Sequence, residues 1–375
     1  MSQPTRASNP VEGRPADVAP GEAKAAGAWA STLDSAGAAR WLGLRRSAVL
    51  LTHAKPDGDA AGSTLALART LSRCGVDARV MYVSPVPRWL PVVAGGTPYT
   101  VLDARSGRVQ PALEAMHPDA VIVTDTGSWP QLDEVRPWLE ARRDRTLVID
   151  HHLHGDADVS ADKFLGLGEA STTLVLAPLC CRLLECEENA LPLDVAEPIY
   201  LGLATDTQWF KLSNVSAKAL RTAGNLLEAG VVHTKLYELI EQQDAASRWK
   251  LLGRALSSLE LHDGGRIAIM RLLISDFTCC DADRNDTSGF ADMVLHIASV
   301  QVAVVLTEAE SAGAGGATTK VSMRSKPGPS AVDVNRVTMS LGGGGHARAA
   351  GAKMVGVGID AARDRVLGAL RGCGA

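Results

Sequence analysis

The chain has 375 residues, enough for two ordinary domains, and its apolar fraction of 46% is sufficient to bury a real core. A formal net charge of −4 and a pI near 6.2 exclude the strong basic field of a protein that tracks long nucleic acid, so a long duplex is not expected as a partner and a short phosphorylated substrate fits better. No run approaches the ~20 apolar residues of a membrane span, and the seven cysteines show neither a disulfide framework nor a zinc spacing, which points to a reducing, cytoplasmic setting.

Residues 1–26 are rich in Pro, Gly, Ala and charge and lack an apolar stretch, so a disordered tail is expected there rather than a signal peptide. A helix is expected over 29–42. A strand over 48–52 runs into His53-Ala54-Lys55-Pro56-Asp57-Gly58-Asp59 and a helix over 60–71. Strands are expected over 77–83, over 119–124 ending in Asp125, and over 145–149 ending in Asp150-His151-His152. Ser171-Thr172-Thr173 reads as the cap of a helix through Leu184, in or just after which Cys180, Cys181 and Cys186 act as small core residues. A helix over 195–204 leads into Thr205-Asp206-Thr207, and 216–229 and 234–256 also carry helical spacing. After Ser257 the character changes: 266–270, 300–307 and 320–324 are strand-like, and 311–317 is a flexible loop. The fold class expected is α/β, with a doubly wound, mostly parallel sheet over 27–230, a helical linker over 231–256, and a smaller α+β domain over 257–371.

Three strand ends thus run into aspartates and histidines. Ligands of open parallel α/β sheets bind beyond the carboxyl ends of the strands, so these ends would gather several carboxylates and imidazoles around one point. Crowded carboxylates repel unless protons or cations neutralise them. Carboxylate oxygen suits hard divalent cations, and the imidazole of His53 shifts the preference toward Mn²⁺, Zn²⁺ or Fe²⁺ over Mg²⁺. Taken singly, Asp57-Gly58-Asp59 would pass as a surface turn, His53 as a core residue, and Asp125 and Asp206 as cap or loop residues. His151 and His152 are harder to dismiss. Adjacent side chains beyond a buried strand point in different directions, so one could bind metal while the other faces substrate, and Asp150 could hold an imidazole tautomer. Asp57, Asp59, Asp125 and Asp206 sum to four negative charges, matching two divalent ions. Such a pair can clamp both oxygens of an in-line displacement at phosphorus and activate water. The sequence has no nucleophile elbow and no Walker loop. Further on, Gly342 to Gly345 expose backbone N–H groups as an anion nest would, His346 and Arg348 follow, and Arg324 lies upstream, so this region could grip a phosphate or carboxylate.

With these residues in view, the chain resembles the DHH/DHHA1 phosphoesterases. Thr52 to Ser63 looks like the first motif of that family, Val123-Thr124-Asp125-Thr126 the second, Asp150-His151-His152 the third, and Gly202 to Thr207 the fourth. Val321 to Lys326 and Gly342 to Gly351 are similar to the substrate-binding segments of the DHHA1 domain. The nearest likeness is the branch of nanoRNase/pAp phosphatases and cyclic-dinucleotide phosphodiesterases. The resemblance implies one Mn²⁺ on His53, Asp57 and Asp125 and a second on Asp59, Asp125, His151 and Asp206, two per chain, with Mg²⁺, Co²⁺ or Fe²⁺ as substitutes. It implies that Asp125 bridges the ions and that His152 contacts the scissile phosphate. Arg324, Ser325, Gly343, Gly344, Gly345 and His346 would hold the far phosphate and sugar, in a cleft between the domains of a homodimer. Two departures from the family pattern stand out: Lys55, where a small polar residue is common, and Gln208-Trp209-Phe210, where a glycine often follows the fourth motif. Trp209 could pack near the substrate.

The function implied is a metal-dependent phosphoesterase that cleaves short oligoribonucleotides (nanoRNA) to 5′-mononucleotides and 3′-phosphoadenosine 5′-phosphate (pAp) to AMP. A phosphodiesterase for cyclic or linear dinucleotides such as c-di-AMP or pApA is the alternative, and a metal-free nucleotide-binding regulator is a third reading. A processive exonuclease would need an added nucleic-acid-binding domain and more positive charge.

Overall fold

Six short strands, β1 (Ser47–Leu51), β2 (Asp77–Val83), β3 (Tyr99–Leu102), β4 (Ala120–Thr124), β5 (Thr146–Asp150) and β6 (Asp162–Leu165), form one sheet in the order β3-β2-β1-β4-β5-β6. Every neighbouring pair is parallel. This computed structural model describes residues 28–104, 109–310, 317–328 and 331–373. The expected tail over 1–26 and residues 311–316 of the expected loop lie outside them.

β4 and β5 are buried throughout and β1 nearly so. Strands covered on both faces have no polar side to alternate with, which is why they read as unbroken apolar runs. Leu50, Ile122, Leu147 and Ile149 enter one core layer, and Val49, Leu51, Val121, Val123 and Val148 enter the other. Strand order reverses between β1 and β4, and at such a switch point the loops leaving the two strands diverge and open a crevice. The sequence places its aspartates there.

The helix Gly58–Arg73 packs on the helix Leu193–Asp206 with little room to spare. A Cβ at Gly62 would stand 2.4 Å from the carbonyl oxygen of Pro198, and one at Gly202 2.4 Å from Thr173 Cγ2. Glycine at both positions is what lets the two backbones approach.

The described residues divide into two compact units, 1–240 and 241–375. The second has its own six-stranded sheet. Its strands are β7 (Glu260–His262), β8 (Ile267–Leu272), β9 (Val302–Ala309), β10 (Thr318–Ser325), β11 (Gly344–His346) and β12 (Ala349–Met354), in the order β11-β12-β10-β9-β8-β7. Only β8 and β9 run parallel. One face carries Ile269, Val304, Val321, Met323 and Ala352 into a core with the helices Val334–Ser340 and Ile359–Gly372. On the other, Ala268, Met270, Ala303 and Val305 pack beneath Phe277 and Phe290.

Two sequence expectations shift. The first helix begins at Ser35, capped by Asp34, because residues 31–33 instead bond along the outer edge of β6: Thr32 and Leu33 donate their N–H groups to the Lys163 carbonyl at 2.8 and 3.0 Å. The helix expected over 234–256 is two helices, His233–Glu241 and Ala246–Ser257. Ala245 is extended and stands at the N-cap of the second helix, and Asp244 just before it forms an ion pair with Arg248 Nη1 at 2.8 Å.

Candidate metal centre

The acidic and imidazole side chains predicted from the first four motifs meet at the carboxyl ends of β1, β4 and β5. His53 follows β1. Asp57 caps the Gly58–Arg73 helix, its Oδ1 accepting from the backbone N–H groups of Asp59 at 3.1 Å and Ala60 at 3.0 Å. Asp59 lies in the first turn of that helix and Asp206 ends the Leu193–Asp206 helix. The ligand atoms of His53, Asp57 and Asp125 lie within 4.8 Å of one another, and those of Asp59, His151 and Asp206 form a second such group. Asp125 joins the two. Its Oδ2 is 3.6 Å from His53 Nε2 and its Oδ1 is 3.7 Å from His151 Nε2. Asp206 Oδ2 lies 3.4 Å from the same His151 nitrogen.

The tautomers follow from the partners. His53 Nδ1 donates to the Ala54 carbonyl at 2.9 Å, and His151 Nδ1 donates to the Glu169 carbonyl at 2.8 Å. A carbonyl only accepts, so each Nδ1 carries the proton and each Nε2 turns a lone pair toward the carboxylates, as a metal-bound imidazole does. His152 differs. Its Nδ1 sits 2.7 Å from Asp150 Oδ1, its ring packs against that of His151 at 4.4 Å, and about half of its side chain is exposed. Asp150 is fully buried. Its Oδ1 also accepts from the N–H groups of His151 and His152, while its Oδ2 has no hydrogen-bond partner among the described residues.

Electrostatics explain what the cluster wants. Asp59 is 1% exposed and Asp125 3%. Burial pushes the Asp125 carboxyl well above the usual carboxylate range, and the charges of Asp59, Asp57 and Asp206 push it further. Asp206 is raised to about 8 by burial and by Asp59 and Asp57. Burial raises Asp59 as well, although His151 and Thr173 oppose the shift. The Asp150 hydrogen bond raises His152. Carboxyls driven toward protonation by their own neighbours, with two imidazole lone pairs aimed among them, fit divalent cations.

Sequence reasoning singled out these side chains but missed what holds them. Thr172 and Thr173, read only as a cap region, donate their backbone N–H groups to Asp59 at 2.6 and 3.0 Å, and Thr173 Oγ1 donates to Asp59 Oδ1 at 2.7 Å. Thr172 Oγ1 donates to Asp125 Oδ1 at 3.0 Å. The adjacent Ser-Thr-Thr hydroxyls before an apolar helix were the available signal, but nothing in sequence tells that their target lies more than a hundred residues upstream.

Both departures from the family pattern fall where the backbone is left-handed. Lys55 has φ +58°, and Gln208, Trp209 and Phe210 have φ +47°, +58° and +65°. Glycine or asparagine adopts this region most readily. The strain is held by packing: Trp209 meets Tyr237 edge-on at 4.9 Å, and Phe210 meets Tyr200 at 6.1 Å. Asp125 itself has φ +62°, held by its N–H bond to the Ile149 carbonyl at 3.0 Å. A strained aspartate at a strand end is common at functional sites.

The remaining candidates lie in the second unit. Arg324 on β10 pairs with Ala349 on β12, which pairs with His346 on β11, so Arg324 and His346 share a row and a face. Arg324 Nε lies 3.4 Å from Asp292. Ser325 points into the opposite, buried face and donates Oγ to the Val332 carbonyl at 2.7 Å, so it braces the strand end. The glycine run is an edge strand rather than a nest. Gly344 and Gly345 pair with Gly351 and Ala350, and a Cβ at Gly343 would stand 2.1 Å from the Gly351 oxygen.

A family model described as the DHH family, N-terminal domain, matches residues 47–203, and one described as the DHHA1 domain matches residues 271–371. A Thermus thermophilus protein named bifunctional oligoribonuclease and PAP phosphatase NrnA is 31% identical over 331 residues, covering 86% of this chain and 88% of that protein. The Bacillus subtilis protein of the same name is 25% identical over 319 residues, covering 84% and 91%. Among solved structures, an exopolyphosphatase-related protein from Bacteroides fragilis superposes with a TM-score of 0.79 at 25% identity, covering 90% of this chain and 95% of that one. No helix among the described residues is long and apolar enough to cross a membrane.

Proposed function

The chain belongs to the DHH family of phosphoesterases and carries the DHHA1 domain, and from that premise we propose that it hydrolyses short oligoribonucleotides to 5′-mononucleotides and pAp to AMP and phosphate. The observation that carries this reading is the convergence of Asp57, Asp59, Asp125 and Asp206 with His53 and His151 on one crevice. Four carboxylates balance two divalent cations; the mixed carboxylate and imidazole set suits Mn²⁺, Zn²⁺ or Fe²⁺, and the family resemblance favours Mn²⁺ among them. Such ions, when bound, lower the pKa of water and neutralise charge developing on phosphate oxygens.

The protein's own groups supply the rest. His53, Asp57 and Asp125 serve one cation position, and Asp59, Asp125, His151 and Asp206 the other. Asp125 has one oxygen toward each imidazole and is suited to bridge them. His152 contacts the scissile phosphate: with Nδ1 engaged by Asp150, its Nε2 is turned outward, and the same contact favours the protonated ring that donates to a phosphate oxygen. Water adds to phosphorus, the ester P–O bond breaks, and the leaving oxygen takes a proton. Arg324, Gly343, Gly344, Gly345 and His346, with Ser325 as their brace, take the non-reacting phosphate and sugar. The protein works as a homodimer in the cytoplasm.

The test is a panel of pAp, pApA, a five-nucleotide RNA and c-di-AMP with Mn²⁺ present. Turnover of the first three is expected. Turnover of c-di-AMP alone would favour the cyclic-dinucleotide alternative. No turnover of any, with fewer than two Mn²⁺ retained per chain, would overturn the reading in favour of a regulator.

A further inference from the structure

The slot between the loops that leave β4 and β5 is filled by a side chain from outside the sheet. Residues 31–33 lie along the outer edge of β6, where Ser31 Oγ accepts from the Leu165 N–H at 3.0 Å and Thr32 Oγ1 from the Lys163 N–H at 2.8 Å. At the end of this strap the half-buried Trp29 indole lies over Gly127, two residues past Asp125, and over Gly155, three residues past His152. A Cβ at Gly127 would overlap Trp29 Cη2, and one at Gly155 would stand 2.6 Å from the same atom. Neither glycine has a positive φ, so the backbone conformation does not itself call for glycine at either place. The ring does, because it lies directly against both stretches of main chain.

The ring also carries a donor. Trp29 Nε1 donates to the His152 carbonyl at 3.0 Å, the kind of polar partner that a packed indole ordinarily finds. His152 is thereby held at both ends of its peptide unit: its N–H donates to Asp150 Oδ1 at 3.2 Å, and its carbonyl accepts from Trp29. Beyond it, among the described residues, Leu153, His154 and Gly155 make no hydrogen bond. The loop is next fixed at Asp156, whose N–H donates to the Gly127 carbonyl at 2.7 Å and whose Oδ2 accepts from the Trp129 N–H at 2.7 Å. Asp150 fixes the tilt of the His152 ring, and Trp29 fixes the loop that carries it.

The geometry points to Trp29 as a positioning residue for hydrolysis: its indole wedges between the β4 and β5 loops and its N–H holds the His152 carbonyl, so that the imidazole stands where the scissile phosphate binds. The inference rests on the phosphoesterase reading with His152 at that phosphate, and it adds a residue from outside the four motifs. A side chain that places a phosphate-contacting group without touching substrate should act on kcat rather than on KM. A misplacement of about 1 Å in such a group costs up to about 100-fold.

The experiment compares kcat and KM on pAp, Mn²⁺ content and Tm for the wild type, Trp29→Ala, Trp29→Phe, Gly155→Ala and Trp29→Ala/Gly155→Ala, with kcat referred to folded, Mn²⁺-loaded chain. Trp29→Ala is expected to lower kcat about 10- to 100-fold, with KM within about two-fold and Mn²⁺ content unchanged. Gly155→Ala, whose Cβ expels the ring, should lose kcat to a similar extent, and the double variant should be no worse than about two-fold below either single one. Trp29→Phe fills most of the slot without the N–H, so it should fold with Tm near that of the wild type and still lose kcat. In a His152→Ala background, Trp29→Ala should cost less than about two-fold more. Turnover by the wild type is measured first, so a failure of the underlying activity shows there. The clamp is then still tested without turnover, because Trp29→Ala should speed hydrogen exchange at the Asp156 N–H while the amides of β4 and β5 keep their protection. A lower Tm with kcat per folded chain unchanged, a rise in KM in place of the kcat loss, wild-type kcat in Trp29→Phe, additive losses in either double variant, or unchanged exchange at Asp156 would overturn the inference.

Discussion

Gly202→Ala tests how tightly the fold and the metal centre are joined. A Cβ at this position would stand 2.5 Å from Asp59 Oδ1, 2.4 Å from Thr173 Cγ2 and 2.7 Å from Thr173 Oγ1. None of these is the free end of a flexible side chain: Asp59 is fixed by three donors, and Thr173 lies in the first turn of its helix. Overpacking costs about 1–3 kcal/mol. Forcing Asp59 off Thr173 leaves buried polar atoms unpaired, about 1–3 kcal/mol more. Replacing a helical glycine by alanine returns roughly 1 kcal/mol. The net expectation is a loss of about 1–5 kcal/mol, with a 10- to 100-fold loss of metal affinity because a support of a ligand is displaced. Gly62→Ala is the control. Its Cβ would meet the Pro198 carbonyl at 2.4 Å in the same helix pair, so it should cost roughly 0–2 kcal/mol and change metal affinity less than about 3-fold. Urea unfolding in EDTA gives the stabilities and calorimetric titration with Mn²⁺ gives the affinities. If Gly202→Ala matches wild type in both, or if the two variants lose metal affinity equally, the coupling through Asp59 is wrong.

Asp125→Ala removes the carboxylate that stands between the two groups, 3.6 Å from His53 and 3.7 Å from His151, and should abolish turnover and retained metal alike; metal content and kcat measured together check this. Arg324→Ala should raise KM more than it lowers kcat, and an equal kcat loss in both variants with KM unchanged in the second would contradict the division of roles. The metal-free protein should respond to pH through Asp206, whose folded value of about 8 stands above its ordinary 3.8: between those values the folded state holds a proton the unfolded chain has released, so stability falls as pH rises through that window. The increase in Tm on adding Mn²⁺ should accordingly be larger at pH 8 than at pH 6, and a pH-independent increase would count against it.

Much of the first unit was legible because its physics is local. β1, β4 and β5 are covered on both faces, and the continuous apolar runs that result are a strong signal. Asp57 and Ser171 cap helices by contacts within three residues; the spacing marks the Ser171 cap, whereas Asp57 reads as a turn residue or ligand and its capping goes unread. β3 and β6 went unread because Tyr99–Leu102 and Asp162–Leu165 are short edge strands, only partly buried. The break at 242–245 was missed because helical spacing resumes on its far side. In the second unit, β11 is three exposed residues, two of them glycine, with no apolar pattern to read.

The site followed the same division, for a reason that bears on its chemistry. The candidate ligands themselves sit at strand and helix ends, where a turn residue and a charged side chain leave a mark in the sequence. Their supports do not. Asp59 depends on Thr172 and Thr173, His151 on the Glu169 carbonyl, and the approach of the ligand-bearing helices on glycines at 62 and 202, all partners distant in sequence or in backbone atoms common to every residue. Those supports also decide how each carboxylate bears its burial. Asp57 and Asp59 accept backbone N–H bonds and Asp125 accepts a hydroxyl, whereas among the described residues the Asp206 carboxylate meets only the His151 ring. Asp206 therefore lacks the hydrogen-bond donors that hold the other three carboxylates in place, and its ordering at neutral pH should follow metal occupancy more closely than that of the other three.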